Sequence, residues 1–112
     1  MSTDEKLLLI LKKIHKKTED GDLNWEETAE EGSYQTAFVD YIVSISEQPG
    51  DDYYLAILDQ QGNLLESTSD IQLTSQFPEA DAFHLMKSLH SLARRRALAI
   101  DQNLDRLLRE LQ

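Results

Sequence analysis

The chain has 112 residues, a net charge of −10 and no cysteine. This length predicts one domain with its own hydrophobic core, and the missing cysteine excludes disulfide bonds and thiolate metal sites. Residues 34–78 carry seven acids and no base, so they would repel the phosphates of a nucleic acid. We therefore expect no nucleic acid among its partners.

No segment is predicted to enter a membrane. The apolar run at residues 7–11 follows Asp4 and Glu5, whereas a secretory signal begins with basic residues. No stretch approaches the roughly 20 apolar residues of a membrane-spanning helix. The expectation is a cytoplasmic protein without a membrane partner.

The first predicted element is a helix from about Asp4 to Glu19. Ser2 can cap its N-terminus with Glu5 as the reciprocal partner, and Gly21 is a plausible stop signal. The early half of this helix is apolar on every side, which is typical of a helix packed between other elements.

The middle of the chain predicts an antiparallel β-meander of about four strands. Leu23 and Trp25 alternate with polar neighbours, so a short strand is expected there. Residues 34–46 are strand-like but change phase near Val39–Asp40, which indicates a tight hairpin.

Two more strands are expected at residues 53–58 and 64–67. Turn residues before each of them, at 48–51 and 59–63, favour antiparallel pairing. From residue 68 to 78 the alternation fades, and this segment is predicted to be a loop.

A helical pattern runs from Pro78 almost to the end of the chain. Apolar or small residues recur there in steps of four and three, which is a heptad seam. The seam consists of Met86, His90, Ala93, Ala97, Ile100, Leu104, Leu107 and Leu111. A second stripe of Leu85, Leu89 and Leu92 widens only the first half, so that half should lie on the sheet. The narrow half predicts a helix–helix contact.

The length of this helix poses a geometric problem. A straight helix over the range would be about 48 Å long, whereas a compact domain of this size has a radius of gyration of about 13 Å. Asp101 is a suitable N-cap for a second helix, but no Gly or Pro between Glu79 and Gln112 forces a break. Whether continuous or broken near Asp101, the tail is predicted to fold back or to dimerise.

Catalytic and metal-binding candidates are few. Asp81, His84 and Ser88 have the spacing of a charge relay on one helix face, but an ordinary exposed face gives the same spacing. His15 and His90 do not join His84 in a recognisable ligand pattern. No catalytic residue, metal site or cofactor is therefore predicted.

Two acidic segments also have a simple interpretation. Glu26, Glu27, Glu30 and Glu31 are predicted to form a solvated surface. Residues 59–63 resemble part of a calcium loop but lack its closing glutamate.

Three groups of residues together carry a resemblance. They are Lys17-Thr18 with Gly21, Leu23 and Trp25-Glu26; residues 34–38 (YQTAF); and Leu92-Ala93-Arg94-Arg95, Ala97-Leu98, Ile100-Asp101, Leu104-Asp105 and Leu107-Leu108. Over most of its length the chain resembles a family of small, uncharacterised bacterial proteins with the order helix, tryptophan-bearing strand, antiparallel sheet, terminal helices. The resemblance implies no catalytic residue. That family often has glycine at the position of Ala99, so alanine favours an uninterrupted terminal helix here.

The sequence thus predicts a single α+β domain over residues 1–112, with an N-terminal helix, an antiparallel sheet and a long or kinked C-terminal helix. The leading hypothesis is a small protein–protein interaction module, homodimeric through the C-terminal helix or a sheet edge. The candidate interface residues are Ile100, Leu104, Leu107, Leu111, Arg94 and Arg96. Two alternatives stay open: an acidic protein that masks a basic partner, as an antitoxin or inhibitor does, and an enzyme.

Overall fold

The first helix is fixed by reciprocal capping at its N-terminus. The computed structural model describes residues 1–112, and its helix α1 spans Thr3–Glu19. The backbone N–H of Glu5 donates to Ser2 Oγ at 3.1 Å, and that of Ser2 donates to Glu5 Oε1 at 3.2 Å. The predicted capping box is confirmed. One side of α1 is buried through Leu7, Leu11, Ile14 and Thr18.

Five antiparallel strands follow, and their order in the sheet equals their order in the chain. They are β1 (Glu26–Glu27), β2 (Ser33–Ala37), β3 (Tyr41–Gln48), β4 (Asp52–Asp59) and β5 (Leu64–Ser69). A short strand does form at this point of the chain, but as β1 it begins directly after Trp25 and includes neither Leu23 nor Trp25. Trp25 instead enters the core, where its Nε1 donates to Thr18 Oγ1 at 3.1 Å.

The change of phase near Val39–Asp40 is a tight hairpin, as predicted. The backbone N–H of Phe38 donates to the Tyr41 carbonyl at 2.7 Å and closes the turn between β2 and β3. Tyr34 pairs with Ile45 and Thr36 pairs with Val43 across this hairpin. Residues of opposite sequence parity therefore share one buried face, which we call the inner face.

The loop predicted at residues 68–78 is wrong. Strand β5 continues to Ser69, and a short helix, α2 (Asp70–Gln76), begins directly after it. Ser69 Oγ caps α2 by accepting the backbone N–H of Gln72 at 3.1 Å. The Asp70 carboxylate accepts the backbone N–H of Tyr53 at 2.8 Å. Because α2 is only two turns long, it has no apolar period that a sequence pattern could reveal.

Helix α3 (Ala82–Ala97) crosses the inner face at the end where β2 and β4 begin. His90 lies there between Tyr34 and Tyr53, with ring centroids 5.4 and 5.5 Å apart. A ring nitrogen of His90 lies 2.9 Å from the Gly32 carbonyl oxygen.

Helix α1 packs beside α3. The fully buried large side chains lie between these helices, α2 and the sheet: Leu11, Ile45, Leu55, Leu73, Met86 and Leu89. None of the helices is both long and apolar enough to span a membrane.

The terminal helix is broken at Leu98–Ala99, so the uninterrupted helix that Ala99 favours is wrong. Ala99 adopts the left-handed conformation, with φ 49° and ψ 47°, and helix α4 (Ile100–Glu110) starts after it. Asp101 does not act as the N-cap; its carboxylate pairs with Arg95 at 2.5 Å. Asn103 Nδ2 donates to the Leu98 carbonyl at 2.9 Å, which satisfies an acceptor freed by the break.

Helix α4 projects from the rest of the domain. The chain measures 54 × 32 × 27 Å, and its radius of gyration is 15.0 Å, above the roughly 13 Å of a compact chain of this length. No residue of α4 beyond its first is shielded from solvent. The tail therefore does not fold back onto its own domain.

Candidate interaction site

Helix α4 carries an apolar stripe that its own chain leaves uncovered. The α4 stripe consists of Ile100, Leu104, Leu107, Leu108 and Leu111. Ile100 is half-buried at the break, whereas the four leucines are 50–73% exposed. At 100° per residue these five positions cover about a quarter of the helix surface. Apolar surface arranged in this way favours a binding partner.

The break separates this stripe from the first half of the predicted heptad seam. Met86 and Ala93 are fully buried in the domain, but the left-handed residue Ala99 turns α4 away from it. The seam is therefore not continuous: its first half is buried in the domain, and its second half is exposed. Leu108 belongs to the stripe, although the heptad pattern predicted from the sequence does not include it. A helical wheel drawn for residues 100–111 alone would have found it.

Acidic residues flank the α4 stripe on both sides. Asp101 and Asp105 lie next to Leu108 on one side, and Glu110 lies beyond Leu107 on the other, at 100° per residue. The two basic residues of α4, Arg106 and Arg109, fall on the opposite face. A surface that binds this stripe would be complemented by basic residues at its rim.

The two arginines predicted at the interface have different environments. Arg96 donates through Nη2 to the Thr18 carbonyl at 3.3 Å. Its guanidinium also lies beside Gly21, 3.5 Å from the position that a Cβ atom on that residue would occupy. It thus joins the C-terminal ends of α1 and α3 within the chain. Arg94 is exposed and makes no ion pair.

A cavity of about 440 Å³ lies between α1 and the end of the sheet that α3 does not reach. We call it the α1 slot, and it was not predicted from the sequence. Its apolar lining is Ile10, Ile14, Phe38, Tyr41, Val43 and Ile57. Phe38 and Tyr41 are 40% and 50% exposed. The slot is therefore an unfilled continuation of the core.

Two lysines stand at the rim of the α1 slot. Lys13 and Lys17 are one helical turn apart on α1, and both line the cavity. Neither takes part in an ion pair, whereas Lys16 on the same helix pairs with Asp20 at 3.3 Å. The slot thus combines an apolar floor with two unpaired positive charges.

Asp81, His84 and Ser88, which have the spacing of a charge relay, do not form one. Asp81 Oδ1 and His84 Nδ1 are 2.7 Å apart, but Ser88 Oγ lies 2.9 Å from Nε2 of His15 instead. His15 Nδ1 is 3.3 Å from Glu19 Oε1. This Ser–His–Glu order has the connectivity of a hydrolase triad. However, Ser88 lies inside α3, where the neighbouring backbone N–H groups are used by the helix. We therefore interpret this contact as one that joins α1 to α3.

The acidic segments remain at the surface. Glu26, Glu27, Glu30 and Glu31 are exposed, and no group of three or more His, Asp or Glu side chains is placed to hold a metal ion. In the loop after β4, hydrogen bonds from Asn63 are the main cause that holds the pKa of the Asp59 carboxyl below its ordinary value. Asp59 therefore stabilises its own turn.

Tyr53 makes the free energy of unfolding depend on pH in the alkaline range. Burial, together with its hydrogen bond to Glu47 at 2.9 Å, raises the Tyr53 pKa from 10.0 to about 12. The folded state thus holds this proton more tightly than the unfolded state. The resulting stability is complete below pH 10 and is lost as the pH rises towards 12. We expect Tyr53→Phe to be less stable than wild type at neutral pH by about 1 kcal/mol, and this deficit to shrink between pH 10 and 12.

Urea unfolding of both proteins across this pH range would measure the effect. Tyr54→Phe is the matched control, because Tyr54 is the next residue and is 39% exposed. A deficit for Tyr53→Phe that stays constant above pH 10 would contradict the prediction.

Comparison with protein-family models, curated proteins and solved structures finds no match to this chain. The features of the chain that bear on its function are the α4 stripe, the α1 slot and the charges around them.

Proposed function

We propose that the protein is a protein–protein interaction module that self-associates through α4. The observation that carries this proposal is the projecting helix with four leucines on one side, each at least half exposed. A short helix without tertiary contacts is marginally stable in water. Contact with a second protein surface would stabilise it, and a second copy of the chain supplies such a surface.

The gain from covering the α4 stripe is large enough for association. Burying the exposed part of each leucine contributes about 1–2 kcal/mol, so two α4 helices together contribute about 10 kcal/mol. Association costs about 4–15 kcal/mol in lost translational and rotational freedom. The two terms are similar in size, which favours a dimer that dissociates on dilution.

The sheet edges are weaker candidates for self-association. The edge strand β1 has only two residues, both glutamates, and short acidic edges resist pairing. The other edge, β5, has a register irregularity opposite Ile57/Leu58, and such bulges also blunt an edge. Its Leu64 and Leu65 are nevertheless exposed, at 62% and 53%. They provide a control of matched chemistry.

Sedimentation equilibrium tests the proposal directly. We expect the wild-type chain to be a dimer at tens of micromolar and the double variant Leu104→Asp/Leu107→Asp to be a monomer, because each aspartate puts a charge into the buried contact. The control variant Leu64→Asp/Leu65→Asp should remain a dimer. A monomeric wild type would refute self-association, and dissociation of only the control variant would assign it to the β5 edge.

The second candidate function is masking of a basic partner. All lysine and arginine residues lie on α1, α3 and α4, so the only charged residues of the sheet and its connections are acids. A complex held by such a surface should dissociate as added salt shortens the Debye length from about 10 Å to about 3 Å. A partner that stays bound in molar salt would count against this function.

A further inference from the structure

We propose that the α1 slot of one copy receives the α4 helix of a second copy, so that the dimer forms by reciprocal exchange of α4. This inference rests on the self-association proposed above and identifies its second surface. Each partner would donate one helix and accept one.

The α1 slot has the position of a missing third helix. On the inner face, α3 covers the end of the sheet where β2 begins, and α1 lies next to it. Beyond α1, at the end where β3 begins, Phe38 and Tyr41 have no helix above them. Sheets of this kind bury an apolar face by packing helices side by side on it. A third helix beside α1 would complete the layer.

The chain's own α4 cannot fill the slot. His15 contacts α3 through Ser88, whereas Lys17 lines the slot, and these residues are 200° apart on α1. The slot is thus on the far side of α1 from α3, about 16–20 Å away at two helix spacings. Leu98 and Ala99 connect α3 to α4, and two residues span only about 7 Å. The helix that fits the slot must come from another copy.

Charges favour this pairing over contact between two α4 helices. If two α4 stripes faced each other, the acids that flank each stripe would meet acids, and like charges across a helix pair are destabilising. The rim of the α1 slot instead presents Lys13 and Lys17, four residues apart. On α4, Asp105 makes no ion pair, whereas Asp101 is already paired with Arg95 of its own chain. A helix α4 packed beside α1 can therefore place Asp105 next to these two lysines.

Two variants and their mixture test the exchange. The α4 variant is Leu104→Asp/Leu107→Asp, and the slot variant is Phe38→Ser/Tyr41→Ser, which changes two half-exposed side chains. We expect each alone to weaken dimerisation about 30-fold or more, as loss of a central interface contact does. Mixed in equal amounts, the two should associate as a heterodimer, because the slot variant donates α4 and the α4 variant offers an intact slot. This heterodimer keeps one of the two exchanges, so it should be weaker than the wild-type dimer and tighter than the homodimer of either variant.

A second set of substitutions keeps the test decisive if the slot variant does not fold. Lys13→Glu/Lys17→Glu changes only exposed residues of α1 and should weaken the dimer about tenfold. Adding Asp105→Lys to the same chain should recover part of that loss. No weakening on reversing the lysine charges, or no recovery on adding Asp105→Lys, would overturn the charge pairing proposed here.

The outcomes separate this inference from the proposed function. If the slot variant stays a dimer while the α4 variant is a monomer, self-association stands and the exchange is overturned. If the mixture of the two variants associates no more strongly than either variant alone, the exchange is likewise overturned. If wild type itself is a monomer, both proposals fail. Circular dichroism spectra and thermal melts of every variant establish that each is folded.

Discussion

Replacing Leu55 by alanine should lower the free energy of unfolding by about 3 kcal/mol. Leu55 lies in the middle of β4, is completely buried, and pairs with Ile45 on one side and with Thr68 on the other. Both neighbours belong to the sheet, so they cannot move far into the space that the smaller side chain leaves. The cost therefore includes a cavity as well as the lost apolar contact.

Leu64→Ala is the matched control for this prediction. Leu64 lies on the adjacent strand and is 62% exposed, so its truncation should change stability by less than about 0.5 kcal/mol. Urea unfolding followed by far-ultraviolet circular dichroism gives both values. Equal losses in the two variants would mean that β4 and β5 are not packed as described.

Ala99→Gly should raise the free energy of unfolding by about 1 kcal/mol. The left-handed conformation of Ala99, with φ 49°, costs an ordinary L-residue about 1–2 kcal/mol, whereas glycine adopts it freely. The greater freedom of glycine in the unfolded chain removes part of that gain. If α3 and α4 formed one continuous helix, the same substitution would be destabilising by about 1 kcal/mol. The sign of the change therefore distinguishes a broken helix from a continuous one.

Urea unfolding of wild type and Ala99→Gly measures this sign, and the control is Ala97→Gly. Ala97 is the last residue of α3, so glycine there should be destabilising whether the helix is broken or continuous. Loss of stability in both variants would contradict the break at Leu98–Ala99.

Features set by neighbouring residues could be predicted from the sequence. Ser2 and Glu5 cap α1 because they are three residues apart, and the change of phase at Val39–Asp40 is visible in the alternation alone. Both depend on contacts within a few positions of the chain. The α+β fold class follows from the same local patterns.

Features set by contacts far apart in the chain could not be predicted. Alanine has the highest helix propensity, so nothing local at Ala99 indicates a break. Close to the α3–α4 junction, Arg96 contacts Thr18, which is 78 positions away and which a sequence pattern does not display. The α1 slot joins residues of α1, β3 and β4, and its existence depends on how far α3 extends across the sheet. The sequence predicted an apolar stripe on the last helix, but it did not predict the α1 slot.

The separation of charge between the two faces of the domain gives the molecule a permanent electric dipole. Every basic residue lies in a helix, while all charged residues of the sheet and its connections are acids. The dipole points from the sheet towards the helix layer. On a cationic support the protein should therefore adsorb with the sheet facing down. The helix layer with the α1 slot would then face the solution in a uniform orientation.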